Sequence, residues 1–107
     1  MYLILSTCPI DQAQILAEQL VQHRHAACVN LLPHIHSIYR WQGEICQDKE
    51  TLMFIKTAQH QVEQCVAYLK EIHPYDVPEI ITFPVDTQTS LSAYVQWVSS
   101  MTTTHNN

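Results

Sequence analysis

One short stretch of the sequence, HPYDVPEII at 73–81, combines a histidine, a phenol and two carboxylates with two prolines. Proline disfavours helical backbone at the residue before it, so His73 is held in an extended or turn conformation. An imidazole fixed in this way is a candidate ligand for a borderline metal ion such as Cu(II), and Glu79 could add a carboxylate oxygen. The alternative is architectural, with His73 and Asp76 capping a helix and a turn.

Histidines elsewhere in the chain form two weaker candidate metal motifs. His34 and His36 belong to the sequence HIH, and alternate residues of a strand face the same side, so the two imidazoles could chelate one ion. No third ligand stands beside them, which leaves two surface histidines as the competing interpretation. The motif HRH at 23–25 spans a predicted helix end and is weaker still.

The sequence gives little support to an enzyme. Ser6 and Cys8 end a strand without a nucleophile elbow, and Gly43 is the one glycine of the chain, which excludes a phosphate-binding loop and a dinucleotide fingerprint. Glu50 and Lys56 form a polar pair that could line a cleft or lie on a solvated strand face. We therefore predict a protein without catalytic residues.

The composition is that of one small domain with a sizeable core and few charges. Of 107 residues, 47% are hydrophobic and 14% are charged, where about 25% charged is usual. The low share of charged residues predicts that an oligomer covers part of the surface.

A net charge of −5 with five Lys plus Arg disfavours nucleic acid and anionic membranes as partners. The chain has no apolar run long enough to span a membrane and no signal-peptide pattern, so we expect a cytoplasmic protein. Its four cysteines are widely spaced, as is typical of reduced core cysteines.

The elements that must position the candidate residues follow a simple order. Apolar runs predict strands at 2–8, 26–41, 44–57 and 79–85, and amphipathic spacing predicts helices at 11–24, 59–72 and 90–101. Gly43 in WQGE favours a hairpin turn, and Pro33 indicates a bulge or a sheet edge. The order β-α-β-β-α-β plus a C-terminal helix predicts an α+β, ferredoxin-like sandwich with helices on one face of an antiparallel sheet. We expect one domain at 1–102 and a disordered polar tail at 103–107.

Several segments in this order resemble the CutA divalent-cation tolerance family. They are AACVNLLPHIHSIYRWQGEI (26–45), ETLMFIKT (50–57), HPYDVPEI (73–80) and YVQW (94–97), and the resemblance runs from about residue 2 to residue 100. It implies a PII-like homotrimer in which long hairpins and sheet edges associate between subunits. It also implies a role in tolerance of copper and other divalent cations, with no established reaction.

The resemblance also assigns residues to a metal site and to a cleft. His73 matches the histidine implicated in copper binding, and Glu79 belongs to the same loop. The other matching positions would line a cleft between subunits: Cys28, Trp41, Glu50, Lys56, Tyr75, Tyr94 and Trp97. Ser6 stands where some members have a cysteine, which weighs against a Cys/His copper site. Two functions stay open, a trimeric protein that binds copper or other divalent metal ions, and a small-molecule sensing or signalling module that uses the cleft.

Overall fold

The computed structural model describes residues 1–103, and over these residues it contains four strands and three α-helices in the predicted order. Strands β1 to β4 are Tyr2–Cys8, Cys28–Trp41, Glu44–Thr57 and Ile80–Pro84, and helices α1 to α3 are Ala13–Gln22, Val62–Ile72 and Ser92–Met101. One 3-10 turn, Ile10–Gln12, precedes α1 and another, Gln59–Gln61, precedes α2. Of the predicted tail at 103–107, residues 104–107 lie outside the described residues.

The strands form one antiparallel sheet in the order β2-β3-β1-β4, which confirms the predicted ferredoxin-like fold. Strands β1 and β3 are central, so each is buried on the face that α1 and α2 cover. The core joins side chains of that sheet face to the two helices: Ile4, Met53, Ile55, Leu16, Leu20 and Leu69. No helix over residues 1–103 is both long and apolar enough to cross a membrane.

Strands β2 and β3 form a long hairpin that closes where the sequence predicts a turn. Trp41 pairs with Glu44, so Gln42 and Gly43 are the two turn residues, with φ angles of 49° and 82°. Positive φ at both positions defines a type I′ turn, whose twist matches that of the strands and which favours glycine.

The opposite face of the sheet, which we call the open face, is apolar and partly exposed. Side chains alternate between the faces of a strand, and the register therefore places Leu5, Leu52 and Phe54 on the open face. The neighbouring edge strand adds Ile81 and Phe83, which are 46% and 45% exposed. A continuous apolar surface of this kind is typical of an interface.

Candidate functional site

One of the two histidines of HIH, His34, lies within an irregularity in β2, and His36 lies just after it. The register shifts between Leu32 and Ile35, and His34 has a φ angle of 63°, so a β-bulge follows Pro33 as predicted. The regular alternation that would point His34 and His36 to one side is therefore interrupted. Both side chains are exposed, and their joint chelation of an ion stays a prediction.

His73 directly follows α2, in an extended conformation, and begins a loop, 73–79, that we call the HPY loop. Its Nε2 lies 2.8 Å from the carbonyl oxygen of Thr7, and its Nδ1 accepts a hydrogen bond of 3.1 Å from the backbone N–H of Tyr75. A carbonyl can only accept and a backbone N–H can only donate, so the ring is the Nε2–H tautomer with both nitrogens occupied. The side chain is 7% exposed, which makes His73 a bridge between β1 and the HPY loop.

These contacts do not fit a copper site within one subunit. A metal ion needs a free imidazole lone pair, and the one lone pair of His73 accepts the hydrogen bond from Tyr75. Among residues 1–103, no group of three or more His, Cys, Asp or Glu side chains is placed to hold an ion. A metal site at His73 and Glu79 therefore stays a prediction, and it requires His73 to give up a hydrogen bond.

Glu50 is the polar centre of the site. It lies on β3, is 6% exposed, and accepts one hydrogen bond at each carboxylate oxygen. The hydroxyl of Tyr75 donates to Oε1 at 2.8 Å, and the hydroxyl of Ser37 donates to Oε2 at 2.5 Å. Burial, together with the hydrogen bond to Glu50, raises the pKa of Tyr75 well above its usual value. The carboxylate thus joins the HPY loop to β2 and β3.

The HPY loop is also held at its middle and at its last residue by contacts with the body of the protein. Lys70, in the last turn of α2, donates a hydrogen bond of 2.8 Å from Nζ to the carbonyl oxygen of Asp76. The fully buried hydroxyl of Ser6 donates to the carbonyl oxygen of Glu79 at 2.7 Å. The loop therefore has a defined position relative to β1, although its side chains at Asp76 and Val77 are exposed.

A cavity of about 680 Å³ lies between the hairpin and the HPY loop. Its lining includes Trp41, Glu50, Tyr75 and Glu79, four of the residues that the sequence predicted for a site. Asp76, which the sequence suggested as a polar residue of the same loop, lines it too, and sequence reasoning missed several further lining residues: Thr7, Ser37, Ile38, Tyr39, Asp48 and Val77. Strand alternation could have identified some of them, because positions 37, 39 and 41 share one face of β2.

The remaining predicted cleft residues form a second cluster, at the other end of the open face. The Lys56 ammonium lies 3.9 Å from the sulfur of Cys28, and the rings of Tyr94 and Trp97 are 5.6 Å apart. Burial raises the pKa of Tyr94, and the neighbouring thiol of Cys28 adds to the rise. Lys56 is six residues from Glu50 along one strand, which at about 3.3 Å per residue separates them by about 20 Å. Within one subunit, the predicted cleft is therefore two separate groups.

Solved structures place this fold in a PII-like class of proteins. The PII-like protein CutA from Nostoc sp. PCC 7120, in apo form, superposes with a TM-score of 0.92 at 35% identity, covering 96% of this chain and 98% of its own. The divalent cation tolerance protein from Thermus thermophilus gives a TM-score of 0.88 at 39% identity, covering 96% and 100%. Residues 2–101 match the family model described as CutA1 divalent ion tolerance protein, and the chain belongs to this family.

Curated relatives agree with this assignment. The divalent-cation tolerance protein CutA of Thermus thermophilus is 45% identical over 83 residues, which cover 77% of this chain and 81% of the relative. The human protein CutA is 43% identical over 97 residues, which cover 90% of this chain. The chain spans about half, 53%, of the human relative's length.

Proposed function

We propose that this protein is a homotrimeric, non-enzymatic binding protein of the divalent-cation response, and that it binds a small molecule in the cavity around Glu50. The observation that carries the proposal is a buried carboxylate, fixed by two hydroxyl groups, in the wall of a cavity of about 680 Å³. A cavity of this volume, with an apolar wall and a few fixed polar groups, has the properties of a small-molecule site.

The positions of the two clusters on the open face support the trimer. The cavity lies at one end of that face, and Cys28 and Lys56 lie at the other. A ring of head-to-tail subunits brings opposite ends of one surface together, and three copies can close such a ring. The second cluster of one subunit would then meet the cavity of its neighbour, and the apolar side chains of the open face would be covered.

A second candidate is the binding of copper or another divalent cation at His73 and Glu79, which the family's description as a divalent ion tolerance protein favours. Imidazole sites prefer Cu(II) among the divalent first-row ions. The hydrogen bonds of His73 weigh against it in the single subunit. Cytoplasmic localisation stays a prediction.

The experiment that separates the two candidates is a pair of titrations on the purified oligomer. Calorimetry with Cu(II) compares the wild type with His73→Ala and with the double variant His34→Ala/His36→Ala. A screen of cationic, anionic and neutral fragments then follows binding on the resonances of the fragments themselves by saturation-transfer NMR, a readout that also works for variants without Trp41.

We expect fragments to bind at the cavity, and Trp41→Ala to weaken their binding more than Ile45→Ala does. Ile45 is a matched control because it is 64% exposed on the same hairpin, beside 59% for Trp41, and it does not line the cavity. A saturable copper site lost only in His73→Ala, with no fragment binding, would establish the metal candidate instead.

The trimer has its own test, light scattering after size-exclusion chromatography. We expect the mass of three 12.4-kDa chains, and a smaller species for Phe83→Glu, which places a charge on the open face. Ile15→Glu is the control, because Ile15 is 57% exposed on α1. A wild-type mass equal to one chain would refute the trimer.

A further inference from the structure

The wall of the cavity carries charge of one sign. Its lining includes four carboxylates, those of Asp48, Glu50, Asp76 and Glu79. Among residues 1–103, no lysine, arginine or histidine side chain lines the cavity. Glu50 is only 6% exposed, and its hydrogen-bond partners are two neutral hydroxyls. A buried carboxylate without a cationic partner is costly, so the site favours a ligand that brings positive charge.

Three hydroxyl donors of the cavity, those of Ser37, Tyr39 and Tyr75, are already committed to its own carboxylates. Tyr39 donates to Asp48, and this hydrogen bond raises the pKa of Tyr39 to about 12. Tyr75 and Ser37 donate to Glu50. A ligand therefore meets mostly acceptor oxygens with spare lone pairs, which favours a ligand that brings hydrogen-bond donors.

Aromatic and aliphatic side chains form the rest of the wall. Trp41 and Tyr39 contribute π faces, and Ile38 and Val77 contribute apolar surface. Cations are attracted to the face of tryptophan and tyrosine rings within about 6 Å. The wall thus suits a cation that also has an apolar body.

A bare metal ion fits this wall poorly. Metal binding needs several donors that converge on one point, and no group of three or more His, Cys, Asp or Glu side chains converges in that way within residues 1–103. The carboxylates are instead spread over both sides of the cavity, on β3 and on the HPY loop. An extended organic cation can reach separated carboxylates that a single ion cannot.

Resting on the proposed function of the cavity, we propose that its ligand is an organic cation, an ammonium or guanidinium group attached to an apolar body. The charged group faces Glu50 and the apolar body lies against Trp41. A neighbouring subunit that contributes Lys56 would add one ammonium against four carboxylates, so the preference for a cation remains.

The test uses three probes of similar shape and different charge on the purified oligomer. They are 2-phenylethylamine, 2-phenylethanol and 3-phenylpropanoate, which are cationic, neutral and anionic at pH 7. The readout is the indole N–H resonance of Trp41, with that of Trp97 recorded in the same spectrum. We expect the amine to shift the Trp41 resonance with an affinity at least about tenfold above that of either other probe, since a charged hydrogen bond adds that much.

Two isosteric variants connect the preference to the buried carboxylate. Glu50→Gln should weaken amine binding by about tenfold or more, and Glu18→Gln, which makes the same change of net charge on an exposed face of α1, should change it by less than about twofold. Asp48→Asn provides a second cavity variant should Glu50→Gln fail to fold, and it should also weaken the amine.

Each other outcome overturns the inference without ambiguity. Equal binding of the amine and the alcohol would leave the cavity as a ligand site and remove the preference for a cation. Preferential binding of the carboxylate would indicate that Lys56 of a neighbouring subunit dominates the cavity. Silence of Trp41 with all three probes would refute the cationic ligand, and the fragment screen above would then decide whether the cavity binds anything.

Discussion

Replacing His73 with alanine should destabilise the fold, whether or not copper is present. His73 takes part in two hydrogen bonds, a buried one to the carbonyl of Thr7 at 2.8 Å and a partly buried one from the N–H of Tyr75 at 3.1 Å. Each is worth about 1 kcal/mol net, and an unpaired group left behind in the interior adds about 1 kcal/mol or more. The loss of packing around a 7% exposed ring adds to this, and we expect a total of about 2–4 kcal/mol.

Urea denaturation followed by far-UV circular dichroism measures this loss. All variants must be compared at one protein concentration, because the apparent stability of an oligomer depends on it. His60→Ala is the control, since His60 is an exposed histidine in the 3-10 turn that precedes α2, and it should change the free energy of unfolding by less than about 0.5 kcal/mol. Equal midpoints for His73→Ala and the wild type would refute the architectural role of His73.

Three further predictions concern other parts of the molecule. Burial lowers the pKa of His25 below its usual 6.5, so the unfolded state binds more protons as the pH falls through about 6.5, and the free energy of unfolding decreases there. Urea titrations at several pH values should show a smaller decrease for His25→Phe than for the wild type, and an unchanged decrease for His36→Asn. Burial raises the pKa of Cys8 to about 11, so iodoacetamide should modify the more accessible Cys46 before Cys8. Peptide mass mapping at successive times measures the order, and a faster reaction at Cys8 would contradict the prediction. Gly43 has a φ angle of 82°, so Gly43→Ala should lower the free energy of unfolding, measured by thermal denaturation, by about 1 kcal/mol, and Gly43→Asn should lower it by less. Equal effects of the two substitutions would show that the positive φ angle is not the cause.

Most of the fold could be predicted from the sequence because the signals for it are local. Strand β1 and the return strand β3 have the predicted bounds, and the turn at Gly43 forms where the chain has its one glycine. Helix α1 begins at Ala13 and not at residue 11, because the chain first makes a 3-10 turn at Ile10–Gln12. Hydrophobic spacing identifies a helix well, but it does not distinguish the first turn of an α-helix from a 3-10 turn.

The site was harder to predict because its contacts join residues distant in sequence. The hydrogen bond from His73 to Thr7 spans 66 positions, and the one from Tyr75 to Glu50 spans 25. No pattern within HPYDVPEII reveals that the imidazole is already occupied. The separation of Glu50 from Lys56, by contrast, could have been predicted from the sequence, since two residues six positions apart on one strand cannot be neighbours in space.

The structure gives the HPY loop a role that does not depend on a metal ion. His73 accepts a hydrogen bond from the backbone of Tyr75, and Tyr75 in turn donates to Glu50, so the imidazole helps to set where the phenol meets the carboxylate. The loss of His73 should then disturb the cavity although His73 does not line it. If this is correct, His73→Ala should weaken binding of 2-phenylethylamine under conditions where the protein is fully folded, and Tyr75→Phe should weaken it similarly. An unchanged affinity in His73→Ala would mean that the loop holds its position without the imidazole, and the histidine would again need an explanation such as a metal ion.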